Sequence, residues 1–99
     1  MVKVLINGTV IAESDKTTTA DGNHYFPREA LKQEYFKPSA KSLHTTCPWK
    51  GEASYWDIDV GDGKVLSDAA WYYPKAITDR AKDLEGRTAF YKNKVQIVE

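Results

Sequence analysis

Two strand-patterned segments joined by Asn-Gly leave a chain few local choices. In VKVLINGTVIAES (residues 2–14), Val2, Val4 and Ile6 alternate with Lys3, Leu5 and Asn7. That period of two puts alternate side chains on opposite faces of a strand. Asn7 and Gly8 tolerate the positive φ that a two-residue type I′ turn needs. The pattern predicts a β-hairpin, Val2–Asn7 against Thr9–Ser14.

The rest of the chain reads as more strand, cut by turns. DKTTTADGNH (15–24) is a polar turn-forming loop containing Asp21-Gly22. HYF is a short strand that stops at Pro27, and Pro27 to about Gln33 has helix formers after a first-turn proline. KPSAKS (37–42) reads as loop. In EASYWDIDV, Ser54, Trp56, Ile58 and Val60 face one way, and Ala53, Tyr55, Asp57 and Asp59 the other. GDGK turns the chain, and VLSDAAWYYP resumes as a strand until Pro74, which cannot donate to a ladder. Glu52–Val60 and Val65–Tyr73 are therefore expected to pair. ITDRAKDLEG suggests a short helix capped by Thr78 or Asp79 and stopped by Gly86. Two short strands around Lys92-Asn93 close the chain. The expected fold is mainly β, an antiparallel curled sheet (barrel or tent-like sandwich) of about six to eight short strands with one or two short helices.

Ninety-nine residues form one domain, 1–99, with a modest core. Fourteen basic and fourteen acidic residues cancel. Nucleic-acid binding draws on phosphate neutralisation and usually shows as a basic excess, so no nucleic-acid partner is expected. Lys75, Arg80, Lys82, Arg87, Lys92 and Lys94 do cluster late in the chain, but Asp79, Asp83 and Glu85 interleave with them, as on a solvated face. A single cysteine makes no internal disulfide, and no apolar leader follows Met1. Both point to the cytoplasm. No run approaches the ~18 apolar residues of a membrane span.

Few groups carry chemistry. Cys47, His24 and His44 lack metal-ligand spacing, so no metal and no cofactor is expected. DIDVGDGK breaks the calcium-loop register, because Gly61 and Asp62 are interchanged relative to that pattern. Glu13 and Glu52 form no readable acid–base pair, and the two histidines fall in loops. No P-loop, serine elbow or dinucleotide fingerprint occurs. The unusual stretch is HTTCPWKGEASYW (44–56). Pro48 holds Cys47 extended. His44 and Lys50 are each three residues from Cys47, which in a regular strand is the opposite face. Cys47 is thus either a small packing residue beside Trp49 or a thiolate nucleophile. Gly51 lets a ligand or another strand approach the backbone closely. Lys50 either carries a point charge at a pocket mouth or is a surface lysine. Twelve aromatic residues are a heavy load for this length. Trp49, Tyr55, Trp71 and Tyr73 come from strands expected to pair, with Tyr25 and Phe26 nearby. Such rings line sites for small ligands or fill a core.

At these residues the chain resembles the bacterial family known as domain of unknown function 427. The matching words are NGTVIAES, YFP, HTTCPWKGEASYW, AAWYYP and AFY, in the family's order along nearly the full chain. The T-x-C-P-aromatic-K-G-x-A core is the specific part. The family commonly has Tyr where Trp49 stands, and its acidic residue after YFP is matched loosely by Glu29. The resemblance implies a small β-rich domain and brings no reaction. A nucleotidyltransferase-like label attached to the family is unmatched here, since phosphoryl transfer wants metal-binding carboxylates and a phosphate cradle.

The reading that follows is a cytoplasmic β-domain whose aromatic-lined pocket binds a small polar or anionic ligand. Tyr25, Trp49, Tyr55, Trp71 and Tyr73 line it, Lys50 supplies charge and Cys47 lies at its floor. The alternatives are a thiol enzyme using Cys47 with His44 or His24 as base, and a protein-interaction module using the sheet surface.

Overall fold

A computed structural model describes residues 1–99. The chain is mainly β and antiparallel. Its ten strands are β1 (Val2–Ile6), β2 (Thr9–Ser14), β3 (Thr18–Ala20), β4 (Asn23–Tyr25), β5 (Phe36–Pro38), β6 (His44–Cys47), β7 (Gly51–Asp59), β8 (Val65–Tyr72), β9 (Thr88–Phe90) and β10 (Gln96–Val98). The helical pieces are 3-10 turns only, at Arg28–Ala30, Gln33–Tyr35 and Asp79–Leu84.

The Asn-Gly hairpin forms as expected. Asn7 (φ 51°) and Gly8 (φ 82°) make the turn, and Ile6 pairs with Thr9. A register shift after Val4 lets both Ile11 and Ala12 point inward, where they are fully buried. β10 adds to the far edge of β1. The closing strands therefore do not pair with each other: β9 joins β8 and β10 joins β1.

The largest sheet runs β5-β7-β8-β9. β5 and β6 lie against β7 at 56–58 and 51–54 respectively. Residues 37–42, expected as loop, thus contribute to an edge strand. Residues 15–24 likewise contain the β3–β4 hairpin, turning at Asp21 (φ 52°) and Gly22 (φ 78°). Both histidines fall in strands rather than loops, His24 in β4 and His44 in β6.

The sheets curl but do not close, so the barrel alternative does not form. Closure needs an unbroken ladder around the sheet, and β5 and β9, three residues each, are too short to carry one. After β4, Phe26 bridges to Thr88 of β9 through two backbone hydrogen bonds of 2.7 and 2.9 Å. This docks the β3–β4 hairpin beside the large sheet.

Two apolar clusters result. The larger joins Val4, Ile6 and Ile11 of the first hairpin to Phe26, Phe36, Ile58 and Phe90. The smaller gathers Tyr25, Ala53, Tyr55, Tyr73, Leu84 and Ala89, with Cys47, Trp49, Trp71 and Tyr91 packed against it. Strand alternation assigns them: Ala53 and Tyr55 of β7 enter the second cluster, while Trp56 and Ile58 enter the first.

A β-bulge in β8 interrupts that alternation. Trp56 pairs with Ala70, but Ile58 pairs with Leu66, and Asp68 takes φ 50°. Asp57, expected on the face with Asp59, is buried as the pin of this bulge. Its carboxylate accepts the backbone N–H of Asp68 at 2.9 Å and of Ala40 at 2.9 Å. Ser39 donates its hydroxyl to Asp68 at 2.6 Å, and Lys94 donates to the Ser67 carbonyl at 2.9 Å. Bulges of this kind re-aim side chains, and here Ala69 and Ala70 both become fully buried.

Candidate functional site

The second cluster gathers Tyr25, Trp49, Tyr55, Trp71 and Tyr73, the aromatic residues that the sequence assigned to a ligand site, whereas Phe26 belongs to the larger cluster. Tyr55 and Trp71 are cross-strand partners on β7 and β8. Tyr73 follows β8, and Tyr25 ends β4. Trp49 and Lys50 occupy the turn between β6 and β7, which opens beside the Cys47–Gly51 pair.

Gly51 is the hinge of that arrangement. Its φ is 116°, and a Cβ there would lie 2.8 Å from the Lys75 carbonyl oxygen and 3.3 Å from Ile77 Cγ2. The close approach expected of a ligand or another strand is made instead by the Lys75–Ile77 segment, which is not a strand. Thr78, in the same segment, donates its hydroxyl to the Trp49 carbonyl at 2.7 Å instead of capping the 3-10 turn that follows.

Lys50 is buried, with its side chain 7% exposed. The surface-lysine reading therefore fails. Its ammonium sits 5.0 Å from the Trp49 ring centroid, 5.6 Å from that of Tyr25 and 5.7 Å from that of Tyr73. Such placement over aromatic faces favours a cation. Lys50 Nζ donates to Tyr25 Oη at 3.3 Å, and the same oxygen accepts Trp71 Nε1–H at 3.3 Å. Its counter-ion is Asp21, at the tip of the β3–β4 hairpin. Burial pulls the ammonium pKa down, but the hydrogen bonds to Asp21 and Tyr25 outweigh it, and the net direction is upward. Asp21 is drawn below the usual carboxylate range by its hydrogen bond to Lys50 and by that charge, with a further contribution from Arg80.

The tyrosines form a second layer. Burial pushes the Tyr73 hydroxyl up to about 12, and burial and Tyr55 push Tyr91 up to about 12. Tyr55 and Tyr91 stack with an interplanar angle of 6°, and Tyr91 meets Trp71 at 4.6 Å between centroids. Tyr55 Oη and Thr45 Oγ1 share a hydrogen bond of 2.7 Å.

Cys47 is half-buried against this cluster. The Pro48–Lys50 turn brings Lys50 to the same cluster, so the expectation that the two side chains diverge is corrected: a turn, and not a regular strand, separates them. Neither histidine reaches the thiol. His44 meets the Ala53 carbonyl at 3.3 Å, Ser54 Oγ at 3.4 Å and Glu52 at 3.8 Å. His24 meets Thr17 Oγ1 at 3.0 Å and Glu99 at 3.4 Å.

Three clefts open on the surface, and the cluster's Lys50, Trp49, Trp71 and Tyr73 border none of them. The first, about 560 Å³, lies between the Asn7-Gly8 turn, Asp62 and Lys94. The second, about 540 Å³, lies between Gly22, His24 and Lys92. The third, about 290 Å³, is bordered by Leu43, Tyr55 and Tyr91. Lys50 is instead covered by Asp21.

Elsewhere the carboxylates serve the backbone. Asp59 accepts Gly61 N–H at 2.8 Å and Asp62 accepts Lys64 N–H at 3.1 Å, closing the GDGK turn. No group of three acidic, histidine or cysteine side chains is arranged to hold a metal ion. Of the late basic residues, Arg87 donates to the Lys16 carbonyl and Lys92 to the Gly22 carbonyl, fastening the β3–β4 hairpin from outside.

Three residues of the site escaped the sequence reading. Tyr91 alternates with Ala89 on the cluster's side, a local signal that pairs it with the site. Asp21 and Arg80 carry no such signal, because each reaches Lys50 or Trp49 from far along the chain.

The fold and this cluster define a mainly β protein of the small antiparallel class, with one buried lysine set among aromatic rings. The chain belongs to the family described as domain of unknown function (DUF427), whose model matches residues 1–99. No curated protein matches it. No helix is long and apolar enough to cross a membrane.

Proposed function

We propose that this protein is a cytoplasmic binding module for a small anionic ligand, with Lys50 as the recognition charge. Tyr25, Trp49, Trp71 and Tyr73 form its surroundings, and Tyr55 the layer behind them. The observation that carries the reading is the asymmetry of the Lys50–Asp21 pair. The ammonium is buried, whereas its carboxylate partner has a side chain 57% exposed on a two-residue turn. A buried cation requires a counter-charge. An exposed carboxylate is one that a ligand's anion can replace without taking Lys50 back into water. The thiol-enzyme reading has less support, since His44 and His24 are hydrogen-bonded away from Cys47.

Benzoate titrated into ¹⁵N-labelled protein tests the reading through the indole N–H resonances of Trp49 and Trp71. Saturable shifts lost in Lys50→Met are expected. Shifts that persist in that variant, or no shifts even when Asp21→Asn has removed the competing carboxylate, would sink the proposal.

A further inference from the structure

Asp21 supplies one negative charge to a site that holds two cations. The second is Arg80. Its guanidinium lies 4.3 Å from the centroid of the Trp49 ring, the indole that also seats the Lys50 ammonium at 5.0 Å. Arg80 makes no ion pair of its own, and its charge acts on the Asp21 carboxylate. It is an exposed residue of the Asp79–Leu84 turn, brought beside Trp49 as Thr78 bonds the Trp49 carbonyl. Lys50 pairs directly with Asp21, and Arg80, from a second element, shares the Trp49 ring with Lys50 and makes no ion pair with that carboxylate.

We infer that the ligand carries a doubly charged oxyanion of the phosphate-monoester class, held by Lys50 and Arg80, with the Asp21 turn standing in its place when the site is empty. This rests on the Lys50 reading above and adds the ligand's charge class. A monoanion gains little here. It would exchange one carboxylate for another, against a resident carboxylate whose tether keeps it at high effective concentration. A dianion pairs both cations at once, and the planar guanidinium matches a phosphate through two parallel N–H donors. The turn can withdraw as a unit, because Asp21 and Gly22 already occupy a tight two-residue link between strands of only three residues. Lys92, which holds the Gly22 carbonyl at 2.7 Å, is its remaining tie on the other side.

The experiment compares phenyl phosphate with benzoate at pH 7.5, where the phosphate monoester is largely dianionic. Both are titrated against wild type, Asp21→Asn and Arg80→Met, with indole N–H shifts and thermal melting as readouts. Both substituted positions are exposed, but Asp21→Asn strips the buried Lys50 of its counter-charge, so titrations are run well below its melting temperature, and Arg80→Met and wild type keep the comparison decisive if it unfolds. The expected result has three parts. Phenyl phosphate binds wild type roughly tenfold tighter than benzoate, Asp21→Asn tightens phenyl phosphate by roughly tenfold again, and Arg80→Met brings the two ligands to parity. Equal affinities in wild type, or phenyl phosphate binding unchanged in Arg80→Met, would overturn the dianion inference while leaving the Lys50 reading intact. Failure of both ligands to bind even Asp21→Asn would overturn both.

Discussion

The Lys50 ammonium and the Asp21 carboxylate meet across 29 positions of sequence, one from inside the fold and one from its surface. The pair fastens the β3–β4 hairpin over the aromatic cluster and neutralises the only lysine buried there. Its two halves are not equivalent. Removing Lys50 leaves an exposed carboxylate in water, whereas removing Asp21 leaves a buried ammonium without its partner.

The first prediction follows from that inequality. Asp21→Asn should lower the melting temperature more than Lys50→Met, since methionine fills an aromatic nest without charge. Acid adds a second test. The folded Asp21 carboxyl lies below its ordinary 3.8, so its contribution is complete above that value and is lost as pH falls through the lower, folded one. Melting temperatures between about pH 5 and pH 2 should fall less steeply in Lys50→Met than in wild type. Parallel acid limbs would show that the pair does not stabilise the fold.

Gly51 should not tolerate a side chain. Gly51→Ala combines a φ of 116° with a Cβ 2.8 Å from a backbone oxygen, neither of which a flexible side chain can relieve. The expected loss is roughly 2 kcal/mol or more, read by urea denaturation. A loss under about 0.5 kcal/mol would mean that the Lys75–Ile77 segment moves freely away from β7.

Asp57 is expected to behave as a structural carboxylate. Asp57→Ala leaves the buried Asp68 N–H without its acceptor, while the N–H of the exposed Ala40 can turn to water. The cost should be about 1–3 kcal/mol. Amide exchange at Asp68 and Ala69 should accelerate first, because the bulge opens before the sheet does.

Alkali should test the burial of Tyr73 and Tyr91. Tyr73 and Tyr91 are raised to about 12 in the folded protein, above the ordinary 10.0. A raised folded value means stability that is present below pH 10 and lost as pH climbs toward 12. Absorbance at the phenolate band should show Tyr73 and Tyr91 ionising late and together with unfolding. Ionisation of Tyr73 and Tyr91 near pH 10 in the folded protein would contradict their burial.

Cys47 should label slowly with iodoacetamide at neutral pH. It is half-buried, and the nearby ammonium is committed to Asp21 and Tyr25. Mass spectrometry of the folded protein should give a rate below that of the urea-unfolded chain. Fast labelling that slows in Lys50→Met would move the thiol-enzyme reading ahead of the binding module.

The sequence by itself determined what depends on near neighbours. Asn7-Gly8 determined the first hairpin, since positive φ at two adjacent positions selects one turn. The period-two pattern of residues 52–60 and 65–73 determined the β7–β8 pair, and with it the meeting of Tyr55 and Trp71. It also placed Trp56 and Ile58 on the opposite face. Tertiary structure decided what depends on distance along the chain. Asp57 alternates like a solvent-facing residue, and only the bulge around Asp68 turns its carboxylate into a buried acceptor. Residues 37–42 and 15–24 read as loops because their strands are too short to display a period, and they exist only through edges supplied by β7 and by each other. The opposite-face rule failed for Cys47 and Lys50 because Pro48–Lys50 is a turn, where strand alternation has no meaning. Lys50 carries no local sign of being buried. A lysine goes inside only where a charge waits for it, and Asp21 is brought there by a hairpin whose docking depends on Phe26 pairing with Thr88, across the sheet and 62 residues away.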